Sequence, residues 1–279
     1  MKYYIVDAFT SEPFGGNPAG VVLLGQDTPF PDESLMVQVA AELRYSETAF
    51  VQQNGPREVT VRYFTPCSEV DLCGHATIAT FGVLKQEDII VGDAVCLNHT
   101  LAGDLKVKVA RQVMMQMAPP RVMEQPVDVK RLYSVMAGEM ASLPVEIIST
   151  GLPDIIMPVD SLDQLEALRP DMEALAALSS ELDVVGVHAF AMSNDGFTAH
   201  VRNFAPLYGV PEESATGTAN AALTHYLLRR GIIQAGAECR FMQGEAMGRP
   251  SVVATTVDDS GDIWVGGQCR IIAHGELLL

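Results

Sequence analysis

The sequence predicts an α+β protein of two related halves, each with a β-barrel-like sheet curved around one buried central helix. Three observations predict this class: an internal repeat at half the chain length, many short alternating or β-branched apolar segments, and two helical segments without charged side chains. A solenoid is excluded, because solenoids need at least three units of a shorter period.

The repeat consists of two sequence matches at one offset. Residues 61–66, VRYFTP, return as residues 201–206, VRNFAP, 140 positions later in a chain of 279 residues. At the same offset, Ala49-Phe50 returns as Ala189-Phe190. Two matches in one register predict two copies of one fold, related by pseudo-symmetry.

The halves are expected to divide near Pro119-Pro120, because two consecutive prolines interrupt regular structure and no Gly/Ser-rich linker is present. The first domain is therefore predicted to cover residues 1–118, completed by a C-terminal strand at about 265–279. The second domain is predicted to cover residues 119–264.

Strand patterns in the first half cover residues 3–8, 19–24, 48–52, 58–64, 89–97 and 105–110, with an amphipathic helix at 31–43. In the second half they cover residues 145–149, 154–159, 187–193, 197–204, 251–256 and 262–266, with an amphipathic helix at 171–182. The remaining two helices, 75–84 and 218–228, contain no charged residue apart from the histidines. A helix without a charged face belongs in the interior, so we expect these two to be the central helices.

Composition narrows the possible functions. The formal net charge is −17, from 18 Lys+Arg against 35 Asp+Glu, and the basic residues form no cluster, which argues against a nucleic acid or an anionic membrane as partner. No apolar run is long enough to span a bilayer, and no signal peptide is recognisable. The odd number of cysteines, five, without CxxC spacing, favours a reduced cytoplasmic protein over a disulfide framework or a zinc site.

Each central helix is predicted to begin at a Gly step, CGHA at residues 73–76 and TGTA at residues 216–219. A helix N-terminus presents unpaired backbone N–H groups and a partial positive charge, which suit a carboxylate. Each glycine also has a simpler interpretation, a tight entry into the helix. The paired positions nevertheless favour a binding role for Gly74, Thr216, Gly217 and Thr218.

Titratable residues lie around these helix starts, and each has two interpretations. Cys73 is either a small buried apolar residue or a thiol whose pKa the helix start lowers. His75 is either structural or functional, and Glu47 is either a solvated strand end or a buried acid with a raised pKa. Glu213 is either an acidic helix N-cap or a functional carboxyl group. Asn17 lies in GGNP, which is most simply a turn, and is added as a candidate for substrate binding.

Six motifs then carry a family resemblance: FTSEPFGGNPAGVV, SETAFV, RYFTPCSEVDLCGHATIA, STGLPD, RNFAPLYGVPEESATGTANAAL and QGEAMGRPS. Together they run from residue 9 to residue 251 and resemble the PhzF-like phenazine biosynthesis family. The resemblance implies the diaminopimelate epimerase-like fold and an isomerase that needs no cofactor or metal. It also implies a homodimer that acts on a small-molecule carboxylate.

The resemblance also implies roles for individual residues. Glu47 takes a proton from the substrate and returns it to another carbon, and His75 polarises or orients the substrate. Glu213 assists by hydrogen bonding. The N–H groups of Gly74, Gly217 and Thr218 hold the substrate carboxylate.

Two positions depart from the family pattern. The phenazine enzyme has Asp-Pro where this chain has Glu213-Ser214, and it lacks a cysteine before Gly-His, where this chain has Cys73. Related racemases carry a cysteine before both helices, but the second position here is Thr216, which is a poor acid. These departures leave two alternatives open: a Cys73-based epimerase or dehydratase of a cyclic amino acid, and a non-catalytic binder of small carboxylates.

Overall fold

A computed structural model describes residues 1–25 and 28–279 of the chain. The chain forms two compact units. Unit 1 comprises residues 1–116 and 266–279, and unit 2 comprises residues 117–265. The sequence placed these divisions at 118 and 264.

Unit 1 contains β1 (Lys2–Ala8), β2 (Asn17–Leu23), α1 (Glu33–Leu43), β3 (Thr48–Gly55), β4 (Glu58–Phe64), β5 (Glu69–Val70), α2 (Gly74–Gln86), β6 (Ala94–Thr100), β7 (Gly103–Val109) and β8 (Val113–Gln116). Its last strand, β18 (Cys269–Glu276), comes from the C-terminal end of the chain and pairs with β1. This strand was expected from the sequence.

Unit 2 contains β9 (Arg121–Met123), α3 (Val129–Val135), β10 (Glu146–Ser149), β11 (Pro153–Val159), α4 (Leu162–Ala167), α5 (Met172–Glu181), β12 (Val187–Met192), β13 (Ala199–Ala205), β14 (Val210–Glu213), α6 (Gly217–Arg229), β15 (Glu238–Gln243), β16 (Ser251–Val257) and β17 (Ile263–Gly267). The chain leaves unit 2 within β17.

Strand pairing follows the same scheme in both units. In unit 1, β1 to β4 pair in sequence with only the β2–β3 pair parallel, and β4 also pairs antiparallel with β5 and parallel with β6. In unit 2, β10 to β13 pair in sequence with only the β11–β12 pair parallel, and β13 pairs antiparallel with β14 and parallel with β15. Two copies of one topology are therefore present, and the predicted fold class is confirmed.

The two predicted segments without charged side chains, 75–84 and 218–228, lie within the central helices α2 and α6. Every residue of α2 from 75 to 84 is buried, and this helix packs against β1, β2, β3, β7, β8 and β18. Helix α6 packs against β10, β11, β12 and β16. The approach of α2 to β18 is close, since a Cβ atom on Gly82 would lie 1.9 Å from the Cys269 sulfur.

The arginine of the VRxFxP repeat has the same role in both units. Arg62 makes a bidentate ion pair with Glu69 at 2.6 and 2.7 Å, and Arg202 makes one with Glu212 at 2.8 Å for both bonds. Each pair ties a central strand to the short strand that precedes the central helix. A bidentate ion pair fixes the relative orientation of its two side chains. The repeated arginine therefore stabilises the segment that leads into each central helix.

The second sequence match, between Ala49-Phe50 and Ala189-Phe190, is displaced by one residue in the structure. Phe50 lies opposite Arg62 in the β3–β4 ladder, whereas Ala189 lies opposite Arg202 in the β12–β13 ladder. A slip of one residue reverses the face to which a side chain points. Phe50 accordingly packs beside α1, whereas Phe190 packs beside the central helix α6.

Several element boundaries also differ from the prediction. The strand expected at 89–97 begins only at Ala94, and Asn17 is the first residue of β2 and not part of a turn. Strands β5, β8, β9, β14 and β15 and helices α3 and α4 were not anticipated. Most of them are short, and short elements owe their form to their neighbours more than to periodicity.

Candidate functional site

Unit 1 brings together three of the predicted residues at the start of α2. Cys73 is the residue before the helix, in an extended conformation, and His75 lies in its first turn. Glu47 immediately precedes β3, and its backbone carbonyl accepts a hydrogen bond from the Gly20 N–H in β2. The parallel β2–β3 pair therefore fixes Glu47 beside the start of the helix.

The three side chains are within bonding distance. The Glu47 Oε2 atom lies 3.1 Å from His75 Nε2, and the Ser46 hydroxyl lies 3.3 Å from the same nitrogen. The Cys73 sulfur lies 3.4 Å from His75 Nδ1. His75 is 7% exposed and Cys73 8%, whereas the Glu47 side chain retains 21% of its surface. Glu47 is thus the member of this cluster that solvent, or a substrate, reaches most readily.

The charges of the cluster differ from those that the sequence suggested. Burial alone would raise the pKa of Glu47, but the hydrogen bond and the charge of His75 outweigh it and lower this pKa below its ordinary value. Burial alone would lower the pKa of His75, yet its hydrogen bond with the Cys73 sulfur and the hydrogen bond and charge of Glu47 raise this pKa well above its ordinary value. Glu47 and His75 therefore form a carboxylate–imidazolium pair near neutral pH.

Of the two interpretations of Cys73, the structure favours the small buried residue. Burial raises the pKa of its thiol, and the neighbouring His75 opposes this only in part. The partial positive charge of the helix start does not overcome the loss of solvation in this pocket. Cys73 is a neutral thiol at pH 7.

A buried chain of hydrogen bonds, which the sequence did not reveal, holds the start of α2. Asn98 in β6 donates to the Tyr63 hydroxyl at 3.0 Å, and this hydroxyl lies 2.6 Å from the Thr77 hydroxyl. Thr77 in turn donates to the Cys73 carbonyl at 2.7 Å. Tyr63 lies in the repeated motif, but no sequence pattern pairs it with Asn98.

The donor atoms of Glu47, Cys73 and His75 lie within 4.8 Å of one another, so these side chains could also hold a metal ion. Carboxylate, thiolate and imidazole are all ligands of zinc. The sequence predicted no metal. Asn17 and Gly74 also belong to unit 1: Asn17 is buried opposite Ala8 in the β1–β2 ladder, and Gly74 is the first residue of α2.

Unit 2 places the other predicted residues at the start of α6. Thr216 precedes the helix, Gly217 is its first residue and Thr218 its second. Glu213 ends β14 and accepts a hydrogen bond on its carboxylate from the Thr216 hydroxyl at 2.8 Å. The interpretation of Glu213 as a helix N-cap is wrong, because Thr216 occupies that position.

Two buried side-chain amides, Gln243 and Asn220, also bond to this helix start. The sequence singled out neither of them. Gln243, at the end of β15, bonds to the backbone of Glu213 and Thr216 and to the Thr216 hydroxyl. Asn220, one turn into α6, donates to the Thr216 carbonyl at 2.9 Å. The helix start is thus held by side chains from a neighbouring strand and from the helix itself.

A further acid of unit 2, Asp154, is buried near the start of β11. Burial, with an added contribution from the charge of Glu213, raises its pKa to about 7, although a hydrogen bond with Asn203 opposes the change. Asn203 also lies 3.3 Å from His188, and burial lowers the pKa of that histidine to about 3. His188 is therefore neutral near pH 7.

No helix among residues 1–25 and 28–279 is long and apolar enough to cross a membrane.

Comparison with known proteins gives consistent family matches. A family model described as phenazine biosynthesis-like protein, PhzC-PhzF, matches residues 6–275. An uncharacterized isomerase of Deinococcus radiodurans is 35% identical over 98% of this chain and 94% of its own. The trans-2,3-dihydro-3-hydroxyanthranilate isomerase of Pseudomonas fluorescens is 31% identical over 100% of this chain and 99% of its own.

Solved structures show the same likeness. A PhzF-family protein of Bacillus anthracis superposes with a TM-score of 0.87 at 26% identity, covering 100% of this chain and 99% of its own. A hydroxyproline epimerase of Agrobacterium vitis superposes with a TM-score of 0.63 at 15% identity, covering 99% and 91%. The second likeness shows that the fold is shared with this group of epimerases.

Proposed function

Because the chain belongs to the phenazine biosynthesis-like (PhzC-PhzF) family and is an isomerase, we propose that it moves a proton within a small carboxylated substrate with Glu47 as the single base. One observation carries this proposal. The Glu47 carboxylate lies 3.1 Å from His75 Nε2 and is the most exposed of the three clustered side chains. An ionised carboxylate that is oriented by a cation and open on one side is suited to accept a proton.

The proposed reaction transfers one proton and needs no cofactor. Glu47 takes a proton from a substrate carbon, and the electron pair left behind is delocalised within the substrate. The Glu47 carboxyl group then gives the proton to a different carbon, so that substrate and product are isomers. His75 stabilises the carboxylate before transfer and can polarise the substrate as negative charge develops.

The remaining predicted residues keep the roles that the resemblance implies. Glu213 assists by hydrogen bonding, and the N–H groups at each helix start, that of Gly74 in unit 1 and those of Gly217 and Thr218 in unit 2, are proposed to bind carboxylates. The first N–H groups of a helix have no partner within it, which supports this role. Asn17 and Thr216 are further proposed substrate-binding residues.

The substrate named for the Pseudomonas relative, trans-2,3-dihydro-3-hydroxyanthranilate, is the first compound to test. It is a small carboxylated molecule, as the proposal requires. The longer side chain of Glu213, where the phenazine enzyme has aspartate, favours a substrate of different shape. A panel of small unsaturated and cyclic carboxylates is therefore included beside it.

The test follows deuterium incorporation from D₂O by NMR. Glu47→Gln keeps the size of the side chain and removes the base, so incorporation should fall by a factor of about 100 or more, while ligand affinity in calorimetry changes little. Glu42→Gln, on the exposed face of α1, is the matched control. Unchanged incorporation in Glu47→Gln would refute the proposal, and loss of activity on treatment with EDTA would point instead to metal chemistry at the three donor atoms.

Cys73 as the base is the second possibility, and its raised thiol pKa disfavours it. Cys73→Ser should retain deuterium exchange. If Cys73→Ser is inactive while Glu47→Gln is active, Cys73 is the base. A chain that binds carboxylates in thermal shift assays, yet exchanges none of them, would instead be a non-catalytic binder.

We also propose that the enzyme is a cytoplasmic homodimer whose partners are its small-molecule substrates, with neither nucleic acid nor membrane among them. The proposal rests on the family resemblance, the cysteine content and the charge of −17. Light scattering coupled to size-exclusion chromatography measures the mass directly. A mass near 30.0 kDa, that of a single chain, would refute the dimer.

A further inference from the structure

Three side chains that can bind a metal ion meet at the start of α2. The donor atoms of Glu47, Cys73 and His75 all lie within 4.8 Å of one another. Two of these side chains approach the same ring nitrogen, because His75 Nε2 lies 3.1 Å from the Glu47 Oε2 atom and 3.7 Å from the Cys73 sulfur. A single cation placed among the three atoms would therefore contact all of them.

The distances at this nitrogen are close to those in a zinc complex. In tetrahedral zinc, with bonds of about 2.0 to 2.3 Å, ligand atoms are separated by about 3.4 Å for nitrogen and oxygen and by about 3.6 Å for nitrogen and sulfur. The observed 3.1 and 3.7 Å differ from these values by about 0.3 and 0.1 Å. Small rotations of the side chains supply such differences, and three protein ligands leave the fourth position of zinc for water.

Two other histidines have acidic neighbours in a different geometry. His200 Nδ1 lies 2.6 Å from the Glu245 carboxylate, whereas its Nε2 lies 2.9 Å from that of Asp195. His99 has the same arrangement with its own two acids. The two ring nitrogens point in different directions, so a metal ion on one nitrogen is out of reach of the acid at the other. The cluster at α2 differs because its carboxylate and its sulfur share one nitrogen.

The charges of the cluster suit a divalent cation. Zinc with one thiolate, one carboxylate and one neutral imidazole forms a complex of zero net charge, so no uncompensated charge is buried. Coordination replaces the thiol proton of Cys73 and one ring proton of His75, and both protons leave to solvent. The Ala76 N–H donates to the Cys73 sulfur, which favours the thiolate as a ligand.

We propose that Glu47, Cys73 and His75 form a zinc site and that zinc bound there inhibits the enzyme by occupying its base. The inhibition rests on the proposed function, in which Glu47 takes a proton from the substrate. A carboxylate oxygen that coordinates zinc no longer has its lone pair free for that proton. The thiolate favours zinc over magnesium and calcium, which prefer oxygen ligands.

Binding is tested without substrate, on the full chain stripped of metal with EDTA and then freed of the chelator. Cobalt(II) replaces zinc as a spectroscopic probe, because cobalt bound to a thiolate has a charge-transfer band in the near ultraviolet. We expect this band to saturate at one ion per chain and to disappear when zinc displaces the cobalt. Magnesium should not displace it.

Variants assign the band to the cluster. Loss of an outer partner of a zinc ligand typically weakens zinc binding by about 10- to 100-fold. Cys73→Ser removes a ligand itself, so it should abolish the band and weaken zinc binding, measured by competition with a chelating dye, by about 100-fold or more. Cys67→Ser, which removes an exposed thiol of unit 1, is the matched control and should change neither.

A band that persists in Cys73→Ser, or zinc affinity equal to that of the wild type, would overturn the site. Cys73→Ala provides the same test if Cys73→Ser does not fold. Glu47→Gln should weaken zinc binding but retain the charge-transfer band, because the sulfur remains. Wild-type zinc affinity in Glu47→Gln would show that zinc does not occupy the base and would overturn the inhibition.

Deuterium exchange supplies the second readout. Saturating zinc should abolish exchange in the wild type, and EDTA should restore it. Each inhibition curve is scaled to the zinc-free rate of the same variant, and Cys73→Ser should need about 100-fold more zinc than the wild type. Zinc that binds without slowing exchange would overturn the inhibition. The cobalt spectrum needs no substrate, so it decides whether the site exists even if the proposed function at Glu47 fails.

Discussion

Asp154 should destabilise the folded protein at neutral and alkaline pH. Its carboxyl group is 1% exposed, and its pKa is raised to about 7 from an ordinary 3.8, mainly by burial and then by the charge of Glu213. An acid whose pKa is higher in the folded state keeps a proton that the unfolded chain has already lost. Stability therefore falls as pH rises from about 4 to about 7 and is constant above that window.

The size of the effect follows from the two pKa values. Each pH unit within the window costs about 1.4 kcal/mol. Between pH 5 and pH 8 the loss from this one group amounts to about 2.5 kcal/mol. The Asn side chain in Asp154→Asn has nearly the same shape and does not ionise. Relative to the wild type, the free energy of unfolding of the variant should therefore rise by about 2.5 kcal/mol between pH 5 and pH 8.

The measurement is urea unfolding at pH 5 and pH 8, followed by fluorescence of Trp264. This is the only tryptophan of the chain, and like Asp154 it lies in unit 2. The difference in unfolding free energy between variant and wild type should shift in favour of the variant by about 2.5 kcal/mol at pH 8 compared with pH 5. Asp259→Asn, in an exposed turn, is the control. The same pH dependence in wild type and Asp154→Asn would refute the reasoning.

Two other predictions test the packing around the helix starts. At pH 7 iodoacetamide should alkylate exposed Cys67 well before Cys73, because the Cys73 thiol is buried and its pKa is raised. Peptide mass spectrometry measures the order of labelling. Preferential labelling of Cys73 would show that its sulfur is a thiolate. Gly244 has a φ of +82°, and a Cβ atom there would lie 2.3 Å from the Arg249 carbonyl oxygen. Gly244→Ala should lower stability by about 3 kcal/mol, because backbone strain and a steric clash combine there. Gly248→Ala, with φ +67° and no atom within 4 Å, should cost only about 1 kcal/mol in the same unfolding assay. Equal losses of stability in Gly244→Ala and Gly248→Ala would show that a steric clash at residue 244 does not contribute.

The sequence predicted the fold class correctly for a physical reason. A helical segment without charged side chains has no face for solvent, and two such segments, 75–84 and 218–228, identified α2 and α6 as the central helices without any contact information. The VRxFxP repeat was informative because its arginine pairs with a glutamate in both units. The Ala-Phe match misled, because a shift of one residue in a strand cannot be seen in the sequence, although it reverses the face.

The sequence predicted which residues form the candidate site, but it did not predict their ionisation states. Glu47, Cys73 and His75 lie in motifs that the sequence exposes, and the structure places their side chains in contact. Their ionisation depends on the balance between burial and a neighbour 3 to 4 Å away. The sequence does not give the distance between residues 47 and 75. It therefore could not reveal that the Glu47 carboxyl group is ionised and the Cys73 thiol neutral.

The supporting residues show why the two halves are not chemically equivalent. In unit 1 the start of α2 is held through Tyr63 by Asn98. In unit 2 the residue that corresponds to Tyr63 in the repeat is Asn203, and Gln243 holds the start of α6 instead. One topology has thus acquired two different sets of hydrogen bonds. Among the residues that the structure describes, unit 1 alone places a carboxylate against a histidine at its helix start. The asymmetry of the polar residues, and not the symmetry of the fold, therefore supports the proposal of a single base.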